Sequence, residues 1–325
     1  MFQGIYKLSP AHYAILRGGA LSIQRYWDID NSKRFDGYKE QAGEGLRRRI
    51  MGSVRGQLVS DRPLGLYLSG GIDSSTILYN MAQLGGNVDT FSVGFELSSQ
   101  EESEKFNHDF MLAKRTASYF KTNHHEVLLS SDDVVRDFEE VVWHLDEPIS
   151  NPTAFAMFKI AQFAKKYVTV VLAGDGGDEL FGGYERYRMS RFATYYQLIP
   201  QWIRGVFPKN DTLKKLNTPP GIDRFMLFMF QKDALLQRVL NHEYFDEDIT
   251  QKFMRERYFQ NNAWSTESEL MDADRRSWLV DESLMRADKM SMARAVEQRV
   301  PLLDKEIVEF AASLPMSYKV GLGGT

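Results

Sequence analysis

Leu64-Gly65-Leu66-Tyr67-Leu68-Ser69-Gly70-Gly71-Ile72-Asp73-Ser74-Ser75 is the stretch that decides the fold. Five residues suited to a buried strand run into two glycines, and a helical pattern follows from about Asp73 to Leu84. The glycines let the backbone turn tightly and come close to a ligand. The free N–H groups at a helix start, helped by the helix dipole, suit phosphate. Ser74 and Ser75 add hydroxyl donors. Asp73 alone repels phosphate, and it makes sense where a divalent cation bridges it to phosphate oxygens. The string matches neither the lysine-containing P-loop nor the dinucleotide fingerprint.

Outward from this stretch the same unit recurs. Thr90-Phe91-Ser92-Val93-Gly94-Phe95 reads as a second strand, His108 to Phe120 as a helix and His125 to Leu129 as a third strand. Pro152 to Lys166 is helical by periodicity, and the β-branched run Val168 to Leu172 is a buried fourth strand. Strands alternating with helices predict an α/β fold, a parallel twisted sheet with helices on both faces. Ligands of such sheets bind beyond the carboxyl ends of the strands. Before this core, Tyr13, Ile15 and Leu16 lead through Gly18-Gly19 to Leu21, Ile23 and Tyr26, which predicts an edge hairpin or linker. Residues 190–287 read as a helical subdomain punctuated by prolines. Its Phe225, Met226, Phe228, Met229 and Phe230 are expected in a core.

A second glycine loop, Ala173-Gly174-Asp175-Gly176-Gly177-Asp178-Glu179-Leu180-Phe181-Gly182-Gly183-Tyr184, follows the fourth strand. Clustered carboxylates repel one another, and many glycines raise the entropy lost on ordering. A cation offsets both, with Asp178 and Asp73 each supplying one oxygen to a magnesium ion. His124-His125-Glu126 is not a metal site on this reading, because adjacent strand residues point to opposite faces.

The first loop resembles the pyrophosphate loop of the ATP pyrophosphatase (PP-loop) superfamily. Both loops together resemble the C-terminal synthetase domain of the glutamine-hydrolysing asparagine synthetase family. So do Leu145-Asp146-Glu147-Pro148, the block Arg286 to Ala293, and Glu297-Gln298-Arg299-Val300-Pro301-Leu302-Leu303-Asp304. The likeness runs from about Gly4 to Lys319. It implies an adenine-nucleotide alpha-hydrolase-like fold that uses ATP and magnesium. Tyr67, Leu68, Ser69, Gly70, Gly71, Asp73, Ser74, Ser75, Val93, Gly94, Ala173 and Gly174 would contact ATP. Asp73 and Asp178 would hold the metal, Asp175, Asp178 and Glu297 would serve catalysis, and Asp146, Glu147 and Arg299 would line the acceptor pocket. Some family members carry glutamate where Asp175 stands.

The implied reaction adenylates the side-chain carboxylate of aspartate and transfers ammonia to it, giving asparagine, AMP and pyrophosphate. Alternatives are an amide ligase acting on another acceptor (β-lactam synthetase-like, peptide cyclase or sugar amidotransferase) and a nucleotide-binding module without turnover. Residues 1–30 resemble the tail of an N-terminal glutaminase domain, the expected partner in the full-length protein. Residues 31–325 form the synthetase domain. The family continues past Lys319 into a lysine-bearing helix, so a C-terminus cut short is expected. A homodimer is one assembly open to it. Within the late block, Leu284, Ala287, Ser291, Ala295 and Val296 approximate one helical face. Arg286, Lys289 and Arg294 fall largely on others, as solvated or salt-bridged positions. Glu297 and Arg299 are expected to be buried and paired, since apolar residues flank them.

Composition narrows the alternatives. A net charge of -4 gives no general pull toward nucleic acid or an anionic membrane, which disfavours a tRNA-thiolating relative. With no cysteine, this chain offers no thiol nucleophile, disulfide or thiolate metal site, which suits a reducing cytoplasm. Met1-Phe2-Gln3-Gly4 shows no leader pattern. The longest apolar runs, Val168–Ala173 and Phe225–Phe230, are too short to span a bilayer.

Overall fold

A computed structural model of the protein describes residues 4–30, 32–149, 151–204, 211–229, 249–259 and 265–321. Two antiparallel strands, β1 (His12–Arg17) and β2 (Ala20–Arg25), form the predicted hairpin. Gly18 and Gly19 turn it with φ of 54° and 80°, the left-handed conformation that a two-residue hairpin turn demands.

The main sheet has five parallel strands: β3 (Leu64–Tyr67), β4 (Asp89–Phe95), β5 (Asn123–Leu129), β6 (Val170–Leu172) and β7 (Glu297–Arg299). Their order is β5-β4-β3-β6-β7. Leu66, Phe91, Val171 and Leu172 are fully buried, as expected of strands covered on two sides. Alternation assigns the faces. Phe91 and Val93 pack with Ile160 of α6 (Thr153–Ala164). On the other face, Gly94 lies against Phe110 of α4 (His108–Phe120). The other helices up to Phe181 are α1 (Lys39–Gln57), α2 (Ile72–Leu84), α3 (Gln100–Phe106), α5 (Ser131–Leu145) and α7 (Gly177–Phe181).

The chain divides into two units. One comprises 1–29, 37–177 and 280–310 and holds the sheet; the other comprises 30–36, 178–279 and 311–325. Described elements of the second are helical, and Tyr187, Phe225, Leu270, Met271 and Val320 form its core. Phe225 is buried as expected, and Met226 packs against the same cluster. Phe228 is partly buried, whereas the Met229 side chain and Phe230 lie outside the described residues.

Three sequence expectations need correction. The late block is a helix only over Met285–Met292, preceded by a π-helical turn at Leu279–Leu284. Ala295 takes φ 53° and turns the chain into β7, so Val296 belongs to the sheet core instead of the helix face. Arg286 is salt-bridged, as one of the two expected readings had it, but it is buried and not at the surface: it donates to both carboxylate oxygens of Glu282, one turn back, and to the Thr153 hydroxyl. Glu297 is exposed, because β7 is an edge strand with one neighbour; its pairing with Arg299 is present, at 2.6 Å.

Candidate functional site

The chain leaves β3 in one direction for β4 and, after β5, crosses over to β6 on β3's other side. The order therefore reverses between β3 and β6, and the carboxyl ends of these strands open the crevice where such folds bind ligands. Both glycine loops start there. The first is tied by its own hydroxyls: Ser69 Oγ lies 3.0 Å from Ser74 Oγ, and the Gly71 N–H donates to Ser69 Oγ at 3.3 Å. No side chain caps α2, whose N-cap is Gly71, so its first N–H groups are offered to the loop end. Gly70, at φ 75°, passes so close to α4 that a Cβ would meet Leu112 and Ala113 at about 2.5 Å.

The second loop closes on the first. A Cβ on Gly174 would sit 2.8 Å from the Ser74 nitrogen, so the two backbones nearly touch where that glycine stands. A Cβ on Gly177 would fall on the Asp73 carboxylate. In the second unit Gly183 leaves the same room for the Asp178 carboxylate. Both acids proposed from the sequence as cation ligands thus occupy cradles that only a missing side chain leaves open, and oxygen donors suit a hard cation. Burial pushes the Asp178 carboxyl up, while the Arg186 charge draws it down. Among the described residues no group of three His, Cys, Asp or Glu is arranged to hold a metal by itself.

Asp175 lies in the second loop beyond β6. Burial pushes its carboxyl up from the ordinary 3.8, and the Arg286 charge and the Gln298 amide hold it down. A group bound more tightly to its proton when folded loses stability as pH rises through the raised value. Asp175→Asn is therefore expected to melt higher than the parent at pH 7, with the gap narrowing toward pH 4.5 in thermal melts across that range.

The other proposed residues sit as follows. Tyr67 and Val93 pack on the sheet core, and the buried Tyr67 hydroxyl has no hydrogen-bond partner among the described residues. Asp146 ends α5 at φ 58° and binds Lys289. Glu147 accepts from Lys7 at 2.7 Å, and Lys7 lies 3.5 Å from Asp281. Arg299 donates to the Gln57 and Val59 carbonyls at the end of α1, while Glu297 pairs with it. The structure therefore brings Gly174 and Gly177 of the second loop against Asp73 and Ser74 of the first, and it ties Arg299 to α1. Gln298, between Glu297 and Arg299, is the strand residue that reaches Asp175, at 2.8 Å. Sequence reasoning passed it over, because the alternation that separates 298 from 297 and 299 shows only once 297–299 is known to be a strand. His124 bonds Thr90 and Ser92, and His125 bonds Asp89, so both histidines serve the sheet.

A model of the asparagine synthase family matches residues 45–325. The chain is 29% identical to asparagine synthetase (glutamine-hydrolyzing) 1 of Bacillus subtilis, over 99% of this chain and 51% of that protein. It is 32% identical to putative asparagine synthetase (glutamine-hydrolyzing) 2 of Methanocaldococcus jannaschii, over 78% and 48%. With an amidase, chyE of Penicillium rubens, identity is 26% over 76% and 39%. The chain spans about half the length of the first two of these curated relatives.

Proposed function

Because the chain belongs to the asparagine synthase family, we propose that it carries the ATP-using half of an amide-forming ligase, with aspartate as acceptor and ammonia as the nitrogen donor. The observation that carries this reading is the strand-end crevice: an uncapped helix start faces it, and Gly177 makes room there for Asp73. The N–H groups at the start of α2 bind phosphate oxygens, while Ser69, Gly70, Gly71, Ser74 and Ser75 shape the cradle. Tyr67, Leu68, Val93, Gly94, Ala173 and Gly174 flank the nucleotide. Asp73 is proposed as a magnesium ligand, and Asp178 likewise. Bound magnesium neutralises charge on the phosphates.

The acceptor carboxylate attacks the α-phosphorus, and pyrophosphate leaves. Ammonia then displaces AMP from the acyl-adenylate. The chain's contribution is position and preorganised polarity, since loop N–H groups aimed at developing charge need no reorganisation during the reaction. Asp175 holds its carboxylate in the loop beyond β6 and is proposed to act in forming the acyl-adenylate. Asp146, Glu147 and Arg299 are proposed for the acceptor side, and Glu297 for catalysis. The relationship to an amidase gives a second reading weight, an amide ligase acting on another acceptor.

The hairpin supports the proposed glutaminase partner in the full-length protein. Leu16, Leu21 and Ile23 share one face of β1–β2 and are 70%, 63% and 54% exposed. A two-stranded hairpin with an open apolar face is stable when something packs on it. Among the described residues no helix is long and apolar enough to cross a membrane.

Pyrophosphate release with ATP, magnesium and ammonium, with and without aspartate, tests the activity. Aspartate-dependent release that Asp73→Ala lowers by roughly a hundredfold or more is the expected result. Release driven by a different carboxylic acid would replace aspartate with that acceptor. Absence of magnesium-dependent ATP binding would overturn the reading.

A further inference from the structure

The carboxylate of Asp175 is held from outside its own loop, by a strand that the reaction itself gives no reason to examine. β7 contributes Glu297, Gln298 and Arg299, and it pairs in register with β6 so that Val171 faces Gln298 and Leu172 faces Arg299. The Ala173 N–H continues that ladder by donating to the Arg299 carbonyl at 2.8 Å. Side chains alternate along a strand. Glu297 and Arg299 bond to each other, and Arg299 also reaches the end of α1. Gln298 points the other way, and its Nε2 donates to Asp175 Oδ2 at 2.8 Å.

The same segment grips the loop a second time. Just past β7, Pro301–Leu303 forms a 3-10 turn. The Leu303 side chain lies where a Cβ on Gly176 would stand, and Gly176 has φ 93°. Leu303 therefore packs directly on the backbone next to Asp175, while Gln298 fixes the side chain. An aspartate carboxylate has two torsions, and one hydrogen bond to one oxygen is enough to choose among its rotamers. The remaining oxygen is then presented in a set direction.

We propose that Gln298 is the positioning residue for Asp175: its amide orients the carboxylate that the loop beyond β6 presents to the reacting groups. This rests on the ligase reading above for its catalytic meaning and on the Gln298–Asp175 contact for its geometry. A glutamine fits this task better than a charged donor. It contributes a directed N–H without adding a second cation beside Arg286, whose charge already acts on Asp175.

Two substitutions separate orientation from packing. Gln298→Met keeps the length and most of the volume of the side chain but has no N–H to donate; Gln298→Asn keeps the amide on a shorter stem. In pyrophosphate release with ATP, magnesium, ammonium and acceptor, Gln298→Met is expected to lower kcat roughly ten- to a hundredfold. Its KM for ATP is expected to stay within about twofold, since Asp175 is not proposed to bind the nucleotide. Gln298→Asn is expected to recover part of kcat. A kcat for Gln298→Met equal to that of the parent overturns the proposal, as does an equal loss in both variants accompanied by a matching rise in KM. Urea unfolding of Gln298→Met, Asp175→Ala and the double variant is measured alongside. Non-additive effects on the unfolding midpoint support the contact, and additive effects overturn it. If the parent releases no pyrophosphate with any acceptor, the ligase reading fails and this cycle alone decides whether Gln298 holds Asp175.

Discussion

On the proposed ligase reading, Gly177→Ala is expected to lower pyrophosphate release by roughly a hundredfold or more, while leaving the melting temperature close to that of the parent. The selectivity comes from what the new methyl group meets. Gly177 does not have a positive φ, so its backbone accepts alanine without strain, and it opens α7, where alanine is the better helix former. The three nearest atoms it would meet all belong to the Asp73 carboxylate, at the end of a short side chain that can rotate aside. The fold survives and the carboxylate leaves its place. Neighbouring glycines would not separate the two effects. A Cβ on Gly174 meets the Ser74 backbone nitrogen, and one on Gly70 meets α4 at a left-handed φ, so both substitutions strain the main chain as well. The control is the double variant. In an Asp73→Ala background, Gly177→Ala should change nothing further in magnesium-dependent ATP binding or turnover, because the carboxylate it displaces is already gone. Full activity in Gly177→Ala would show that the position of Asp73 does not matter to the reaction.

What the sequence made legible follows from how local each signal is. β3, β4 and the buried β6 are short apolar runs bounded by glycine or charge, and α2, α4 and α6 carry the helical period, so their order and the parallel sheet could be read directly. β7 could not. Glu297-Gln298-Arg299 has no apolar residue, and it is a strand only because β6 offers an unpaired edge. With β7 hidden, the alternation that turns Gln298 toward Asp175 was hidden too. α1 was missed for the opposite reason: Gly43, Gly45, Gly52 and Gly56 lower its intrinsic helix propensity. Packing overrides that cost at Gly45, where the Phe310 ring sits 3.0 Å from the position a Cβ would take. The acidic residues of the second loop were visible as a cluster. Their separate environments were not, because Arg286 and Arg186, which act on Asp175 and Asp178, lie 111 and 8 residues away respectively.

The second large effect lies in the helical unit, at a position that no motif singled out. Asp274→Ala is expected to destabilise the protein by about 3 kcal/mol. Asp274 sits on the helix Thr266–Arg276 with its side chain fully buried. It accepts from Arg186 Nε at 3.0 Å, lies 2.9 Å from Arg186 Nη2, and takes the hydroxyl hydrogen of the fully buried Tyr187. The Arg186 guanidinium is 3.9 Å from the centre of the Tyr184 ring, and Tyr184 in turn donates to the buried Glu179 at 2.7 Å. Truncation removes one carboxylate but strands two groups, a cation and a hydroxyl, and removing one partner of a buried pair is far more damaging than replacing both. Arg186 keeps 21% of its side chain exposed, so water relieves part of its loss and the figure belongs at the low end of the range for buried pairs. A thermal melt should fall by roughly 6–12 °C. Replacing both partners, as Asp274→Leu with Arg186→Met, should recover much of that drop, since apolar groups of similar volume need no acceptor. The double variant also removes the positive charge that draws the Asp178 carboxyl down. A protein that regains its melting temperature yet binds magnesium more tightly would separate the two roles of Arg186, one holding helices together and one acting on Asp178. A melt for Asp274→Ala within about 2 °C of the parent would mean that the carboxylate contributes little, and that Arg186 is held by its stacking on Tyr184 instead.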